Sequence, residues 1–173
     1  QGFTNLANLL KRFPESRQKL TVFQMGGAVD YSRRPGWVEH NVKIDKEAAR
    51  YVFASGTDIS LVMAQTTFNP AYMVDEQHDL YKKLKSSDKP VYQMLARHVE
   101  LFHEAKAFWP YMHDPLTVAV ALGKDFVDFY ESAVLMDEHG NLYSSSGLPK
   151  LRLSKTESKD KEFMKFLDGR LFS

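Results

Sequence analysis

A strand, a helix and a second strand follow one another between Leu20 and Met63, and that order leaves the chain few architectures. Lys19-Leu20-Thr21-Val22-Phe23-Gln24-Met25 is rich in strand-forming residues and stops at Gly26-Gly27. From Asp45 to Gly56 the helix signals are complete: Asp45 can cap, Glu47 suits the first turn and Gly56 can terminate. Ile59-Ser60-Leu61-Val62-Met63 then reads as a buried strand, with Gln65-Thr66-Thr67 as its polar tip. A strand–helix–strand unit implies a right-handed parallel crossover. The expected class is therefore α/β, with an open, mostly parallel sheet flanked by helices.

Composition bounds what such a sheet can do. The chain has 173 residues, 43% of them apolar and 13% aromatic, enough for one domain with a real core. Its 23 basic and 22 acidic side chains leave a net charge of +1, so no strong field points to nucleic acid or a membrane surface. A small neutral ligand is the natural partner. With no cysteine, disulfides, thiolate metal sites and a cysteine nucleophile are excluded, and any metal must be held by oxygen or imidazole. No apolar run is long enough to span a bilayer and the amino end has no signal-peptide pattern, so the expected compartment is the cytoplasm, with export left open. The chain starts without methionine, as a processed or truncated chain would.

The densest chemistry lies at Tyr111-Met112-His113-Asp114-Pro115-Leu116-Thr117, where an imidazole and a carboxylate stand together before a proline and an apolar run. A helix start there would offer unpaired N–H groups and the positive dipole end to an anion. The plainer alternative makes Asp114 an N-cap and His113 a loop residue. Phe108, Trp109 and Tyr111 just upstream are either core or the wall of a flat heterocycle. A second grouping, Glu39-His40-Asn41, falls in a long aperiodic stretch from Ala28 to Ile44. If extended, it turns Glu39 and Asn41 to one side and His40 to the other. A carboxylate beside an amide suits sugar hydroxyls, since one only accepts and the other also donates. The glycine pair after the first strand marks either a ligand crevice at a strand's carboxyl end or an ordinary tight turn.

The remaining segments give supporting elements. Leu6, Leu9 and Leu10 have helical spacing behind a Thr4 or Asn5 cap; a charged helix is expected over Val74 to Leu84, and Pro90 starts another with Val91, Leu95, His98 and Phe102 on one face. Val134-Leu135-Met136 reads as a strand, Asp137 to Asn141 as a turn and Leu151-Arg152-Leu153 as a short edge strand. A terminal helix carries Phe163, Phe166, Leu167 and Leu171 on one side, after a solvated charge run from Lys155 to Glu162.

Taken together, Gly2-Phe3-Thr4-Asn5-Leu6-Ala7, Met25-Gly26-Gly27-Ala28, Glu39-His40-Asn41, Asp45-Lys46-Glu47-Ala48-Ala49 and His113-Asp114-Pro115-Leu116-Thr117-Val118-Ala119 resemble, in order, the inosine–uridine-type nucleoside hydrolases. The resemblance covers nearly the whole chain and assigns 1–173 to the carboxyl-terminal part of a single domain of that type. It implies hydrolysis of the N-glycosidic bond of purine or pyrimidine ribonucleosides to free base and ribose, as in nucleoside salvage. In that family Ca2+ binds the ribose 2′- and 3′-hydroxyls and the attacking water, and the transition state resembles an oxocarbenium ion. By resemblance Asp114 and the Thr4 carbonyl are metal ligands, His113 meets the departing base, and Glu39 and Asn41 grip the ribose at its 5′ and 2′/3′ sides.

Two departures accompany the resemblance. The family's amino-terminal aspartate-rich motif, which supplies further calcium ligands and the water-activating group, does not occur in this sequence. Calcium takes about six to eight oxygens, so the chain alone is expected to bind metal weakly and to be inactive unless another polypeptide supplies the missing half. Where many members carry a ribose-contacting asparagine, this chain has Tyr31-Ser32-Arg33-Arg34, and Trp37 and His40 are also unusual. The alternative function is a noncatalytic nucleoside- or ribose-binding domain or subunit. A half sheet with an uncovered apolar edge should need its missing half or form a homo-oligomer.

Overall fold

Strands Thr21–Met25 (β1) and Asp58–Val62 (β2) pair in parallel, Thr21 opposite Asp58 and Met25 opposite Val62. The computed structural model describes residues 2–172; Gln1 and Ser173, the ends of the 1–173 assignment, lie outside the described residues. Before β1 comes helix α1 (Thr4–Arg12); between the strands lie α2 (His40–Ile44) and α3 (Lys46–Phe53), which make the expected crossover. Asp45 caps α3 by accepting the Ala48 N–H at 3.0 Å. Its carboxyl is held below the usual range, first by the Thr4 hydroxyl, which donates to it at 2.7 Å. That contact corrects the cap expected for α1: its N-cap is Phe3, without a side-chain hydrogen bond, because the Thr4 hydroxyl ties α1 to α3 instead.

Three further strands complete the sheet: Val127–Met136 (β3), Leu142–Ser145 (β4) and Leu151–Ser158 (β5), in the order β1-β2-β5-β3-β4. β5 is parallel to β2, and β3 is antiparallel to both β5 and β4, so only β3 runs against the common direction. The sheet is the open, mostly parallel one expected, but Leu151-Arg152-Leu153 is not an edge. It sits between β2 and β3, with Leu151 1% and Leu153 0% exposed. Local spacing marks a strand but carries no information about its neighbours, and β5 is claimed from both sides by long-range pairing.

Alternation along β2 buries both faces of the sheet. Ile59 and Leu61 join Phe3, Leu10, Ala49 and Val52 on the side covered by α1 and α3. Val62 faces Leu116, Ala119 and Phe163, which belong to α7 (His113–Ala121) and α8 (Asp160–Leu171). Helix α4 (Ala64–Thr67) follows β2 directly, and α5 (Asp79–Ser86) packs on α6 (Pro90–Lys106) through Leu80, Leu84 and Ala96. α5 starts later than its charge pattern suggests because Val74 donates its N–H to the Pro110 carbonyl and is buried, leaving the His78 ring to cap the helix. On α6 the packed residues are Tyr92, Leu95 and Ala96, whereas Val91 and His98 are exposed. The Tyr92 hydroxyl, bonded to the Leu171 carbonyl, and the Tyr81–Glu100 contact set that rotation. No helix among the described residues is long and apolar enough to cross a membrane.

Candidate functional site

Chemistry gathers where β1 and β2 end. Gly27, with φ +76°, turns the chain out of β1; an added Cβ would lie 3.1 Å from the Leu142 side chain as well as in a disfavoured backbone region. Its carbonyl accepts the Ala64 N–H at 2.9 Å, tying the first turn of α4 to the end of β1. Its own N–H donates to Glu39 Oε2 at 2.9 Å. The two glycines are thus a built junction at the carboxyl rim of parallel strands, the position at which open α/β sheets form their crevices.

The Glu39-His40-Asn41 run is not an extended segment, because a helix opens directly after Glu39. Glu39 is the N-cap of α2, and its carboxylate accepts the Asn41 and Val42 N–H groups as well as that of Gly27. The Asn41 amide donates to the Met25 carbonyl at 3.1 Å. Glu39 and Asn41 are 5% and 8% exposed while His40 is exposed, so the two polar groups do turn inward together, through a helix start and not through strand alternation. Thr4 stands nearby at the head of α1. The ring of Phe3 fills the space a Cβ on Gly26 would need, and Asn41 borders the same space.

On the β2 side, His113 Nδ1 lies 2.7 Å from the hydroxyl of Thr67, the fully buried last residue of α4. α7 begins at His113 itself, with Met112 as its N-cap, so Asp114 is a first-turn residue and not the cap. Pro115 is accommodated there because first-turn positions have no intrahelical N–H bond to lose. Half-buried His113 is enclosed by Phe68, edge-on at 4.6 Å, and by Tyr111, stacked at 5.6 Å. Burial is the largest effect on its imidazole and lowers its pKa to about 4; Asp114 opposes that shift and Arg33 adds to it. The ring is thus neutral near pH 7, with one N–H whose position follows from the Thr67 contact.

Of the three aromatics read as a possible wall, only Tyr111 touches His113. Phe108 packs on Phe102, and Trp109 stacks flat on His103 at 3.8 Å, both on α6. The wall is instead built from Phe68, with Trp37 edge-on to it at 6.2 Å, Tyr31 edge-on to Trp37, and the Arg33 guanidinium 3.9 Å above the Phe68 ring. Phe68 and Thr67 were not singled out from the sequence. Their signal is position alone: Thr67 ends the polar tip that follows a buried parallel strand, and Phe68 comes directly after it.

Asp114 is exposed, and no hydrogen bond or ion pair engages its carboxylate among the described residues. Nor does any group of three His, Cys, Asp or Glu residues among them gather to hold a metal ion. One free carboxylate and one backbone carbonyl fall well short of the oxygens calcium requires. The residues described here therefore do not fit a complete calcium site.

An imidazole, a free carboxylate and two buried polar side chains gathered at the carboxyl rim of an open, mostly parallel sheet define the class: an α/β domain whose polar side chains collect at its strand ends. The sequence profile described as inosine-uridine preferring nucleoside hydrolase matches residues 2–166, and the chain belongs to that family. It is 27% identical over 144 residues to the pyrimidine-specific ribonucleoside hydrolase RihA of Escherichia coli, covering 79% of this chain and 45% of that protein. The fold is that of the purine-preferring ribonucleoside hydrolase from Gardnerella vaginalis (TM-score 0.83, 20% identity, 98% of this chain and 58% of that one). It is likewise that of the inosine-uridine preferring nucleoside hydrolase from Bacillus anthracis (TM-score 0.74, 17% identity, 98% and 57%). The chain spans about half the length of the curated relatives it matches.

Proposed function

We propose that this chain supplies part of the active site of a calcium-dependent nucleoside N-ribohydrolase, which splits a ribonucleoside of the inosine or uridine kind into free base and ribose. The observation that supports this reading best is the placement of His113, beside Asp114 and walled by Phe68 and Tyr111, on the same strand-end rim as buried Glu39 and Asn41. In this reading the base lies against the aromatic side of the rim and the ribose against the Glu39–Asn41 side. A sugar fixed in that way presents its anomeric carbon in one orientation, which lowers the entropic part of the barrier. His113 contacts the base through the ring nitrogen that Thr67 leaves free. Glu39 acts mainly by holding the α2 backbone, and Asn41 offers the more available polar atom, its side-chain oxygen.

By the resemblance, Asp114 and the Thr4 carbonyl would be among the residues that hold the metal, with further oxygens that the described residues do not gather. The chain by itself is accordingly inactive, and it needs the remainder of the fold or a partner that provides it. A second reading, a noncatalytic nucleoside-binding domain, is favoured by the absence of a three-residue metal cluster among the described residues.

Ribose release from inosine and uridine, with and without Ca2+, separates the two readings when run on the product of the complete gene and on this 173-residue chain. The hydrolase reading expects calcium-dependent release by the complete product, lost in Asp114→Asn and His113→Ala, and none by the chain alone. Nucleoside binding by the complete product without ribose release would overturn it in favour of the binding domain.

A further inference from the structure

Beside the aromatic cluster around His113 lies a cation, Arg33, that pairs with no carboxylate among the described residues. Its guanidinium lies 3.9 Å above the Phe68 ring. The loop that carries it is held in shape: the Ser32 hydroxyl donates to the Arg34 carbonyl at 2.6 Å, and the Trp37 N–H donates to the same oxygen at 3.1 Å. At its far end Trp37 packs edge-on to Phe68. One ring, Phe68, thus has a guanidinium on its face and the His113 imidazole edge-on, with Tyr111 beside both. A guanidinium stacked on an aromatic face keeps its in-plane N–H groups directed outward from the stack, free to donate.

We propose that Arg33 contacts the nucleoside base and stabilises the negative charge it acquires as it departs, which makes Arg33 a leaving-group residue of the hydrolysis. The inference rests on the hydrolase reading above and turns Arg33, from the loop where the family resemblance places a ribose-contacting asparagine, toward the base, because its guanidinium lies on the aromatic side of the rim. When the C1′–N bond breaks, its electron pair goes to the base nitrogen, the oxygen of water bonds to C1′, and one proton of that water reaches the base through solvent. The part assigned to Arg33 is that of a charge and hydrogen-bond donor, not of an acid or base. Arg33 acts as a fixed positive charge with N–H donors at the place where charge develops, on the solvent-facing side of the aromatic cluster.

The role sets a specificity that a purely structural residue would not. Uridine and inosine release a base that leaves with a negative charge. A nucleoside whose base already carries a positive charge, such as 7-methylguanosine, releases a neutral base and gains nothing from a cation beside it. Arg33 should therefore favour the first kind over the second.

The test compares kcat/KM for inosine, uridine and 7-methylguanosine in the complete gene product and its Arg33→Met and Arg33→Lys variants, with circular dichroism confirming the fold. Arg33→Met keeps an apolar stem over Phe68 and removes the charge. The inosine-to-7-methylguanosine ratio of kcat/KM is expected to fall by about tenfold or more in Arg33→Met, the uridine ratio with it, and Arg33→Lys is expected to recover part of both. A parallel loss on all three substrates, or no loss on any, overturns the role of Arg33 while leaving the hydrolase reading intact. Failure of the unsubstituted protein to hydrolyse any of the three overturns the hydrolase reading and this role with it.

Discussion

Glu39 offers the sharpest test of how this site is built, because one buried carboxylate serves three backbone amides from two parts of the chain. In Glu39→Ala the Asn41 and Val42 N–H groups lose their cap, a change that costs about 0.5–2 kcal/mol at helix starts. The Gly27 N–H, buried against the carboxylate, is left without its acceptor, which adds about 1–3 kcal/mol. The terms share one side chain and do not add fully, so the expected loss is about 2–4 kcal/mol. At a urea m-value of about 2 kcal/mol/M, the middle of the usual range, the unfolding midpoint should fall by about 1–2 M. Glu39→Asp separates the parts: aspartate is a good N-cap but is one methylene too short to keep both the cap and Gly27, so it should recover roughly the capping share. Urea denaturation followed by circular dichroism, at unchanged m, reads both variants. A loss in Glu39→Ala below about 0.5 kcal/mol, within the range of an ordinary surface change, would refute the argument and leave Glu39 free to serve the ribose alone.

Three other outcomes are expected. Thr67→Val removes the hydroxyl at His113 Nδ1 with little change of volume, so on the proposed hydrolase reading kcat for ribose release by the complete gene product should fall about tenfold with Tm nearly constant, and imidazole 15N shifts should report a changed tautomer; an unchanged tautomer would sink the idea. Phe163→Ala empties a fully buried ring position packed on Tyr72 at 5.3 Å and Phe126 at 5.7 Å, and should cost about 3–5 kcal/mol in the same urea experiment. In the turn between β3 and β4, the Asp137 carboxyl is held down at about 2, first by the Asn141 amide and then by the backbone N–H groups of Asn141, Gly140 and His139. A pKa depressed below the unfolded value of about 3.9 gives stability that is fully present above about pH 4 and is lost as pH falls toward 2. The Tm advantage over Asp137→Asn should therefore shrink across that window, and an advantage that persists to pH 2 would contradict it.

Much of the scaffold was legible because it depends on residues close together in the chain. Strand composition at Thr21–Met25, the Asp45 cap and the apolar face of α8 all express preferences settled within a few residues. The pairing of His113 with Asp114 and the spacing of the five motifs were equally visible, and with them the family. Less of the candidate site could be read. Glu39 and Asn41 were expected to turn inward, and do, but their acceptors and donors are engaged by Gly27, Val42 and Met25, a fact no local pattern encodes.

By itself, then, the sequence determined the α/β class, the helix and strand types of its periodic segments and the family. The tertiary structure alone decided that β5 is interior, that Phe68 and Thr67 enclose His113, that Phe108 and Trp109 turn to α6, and that Arg33 lies over the aromatic ring. The physical reason is range. Capping and periodicity are fixed by neighbours within a turn or two, whereas the partners of a strand, and of Arg33 and Thr67, are set only when chain closure brings together residues far apart in sequence.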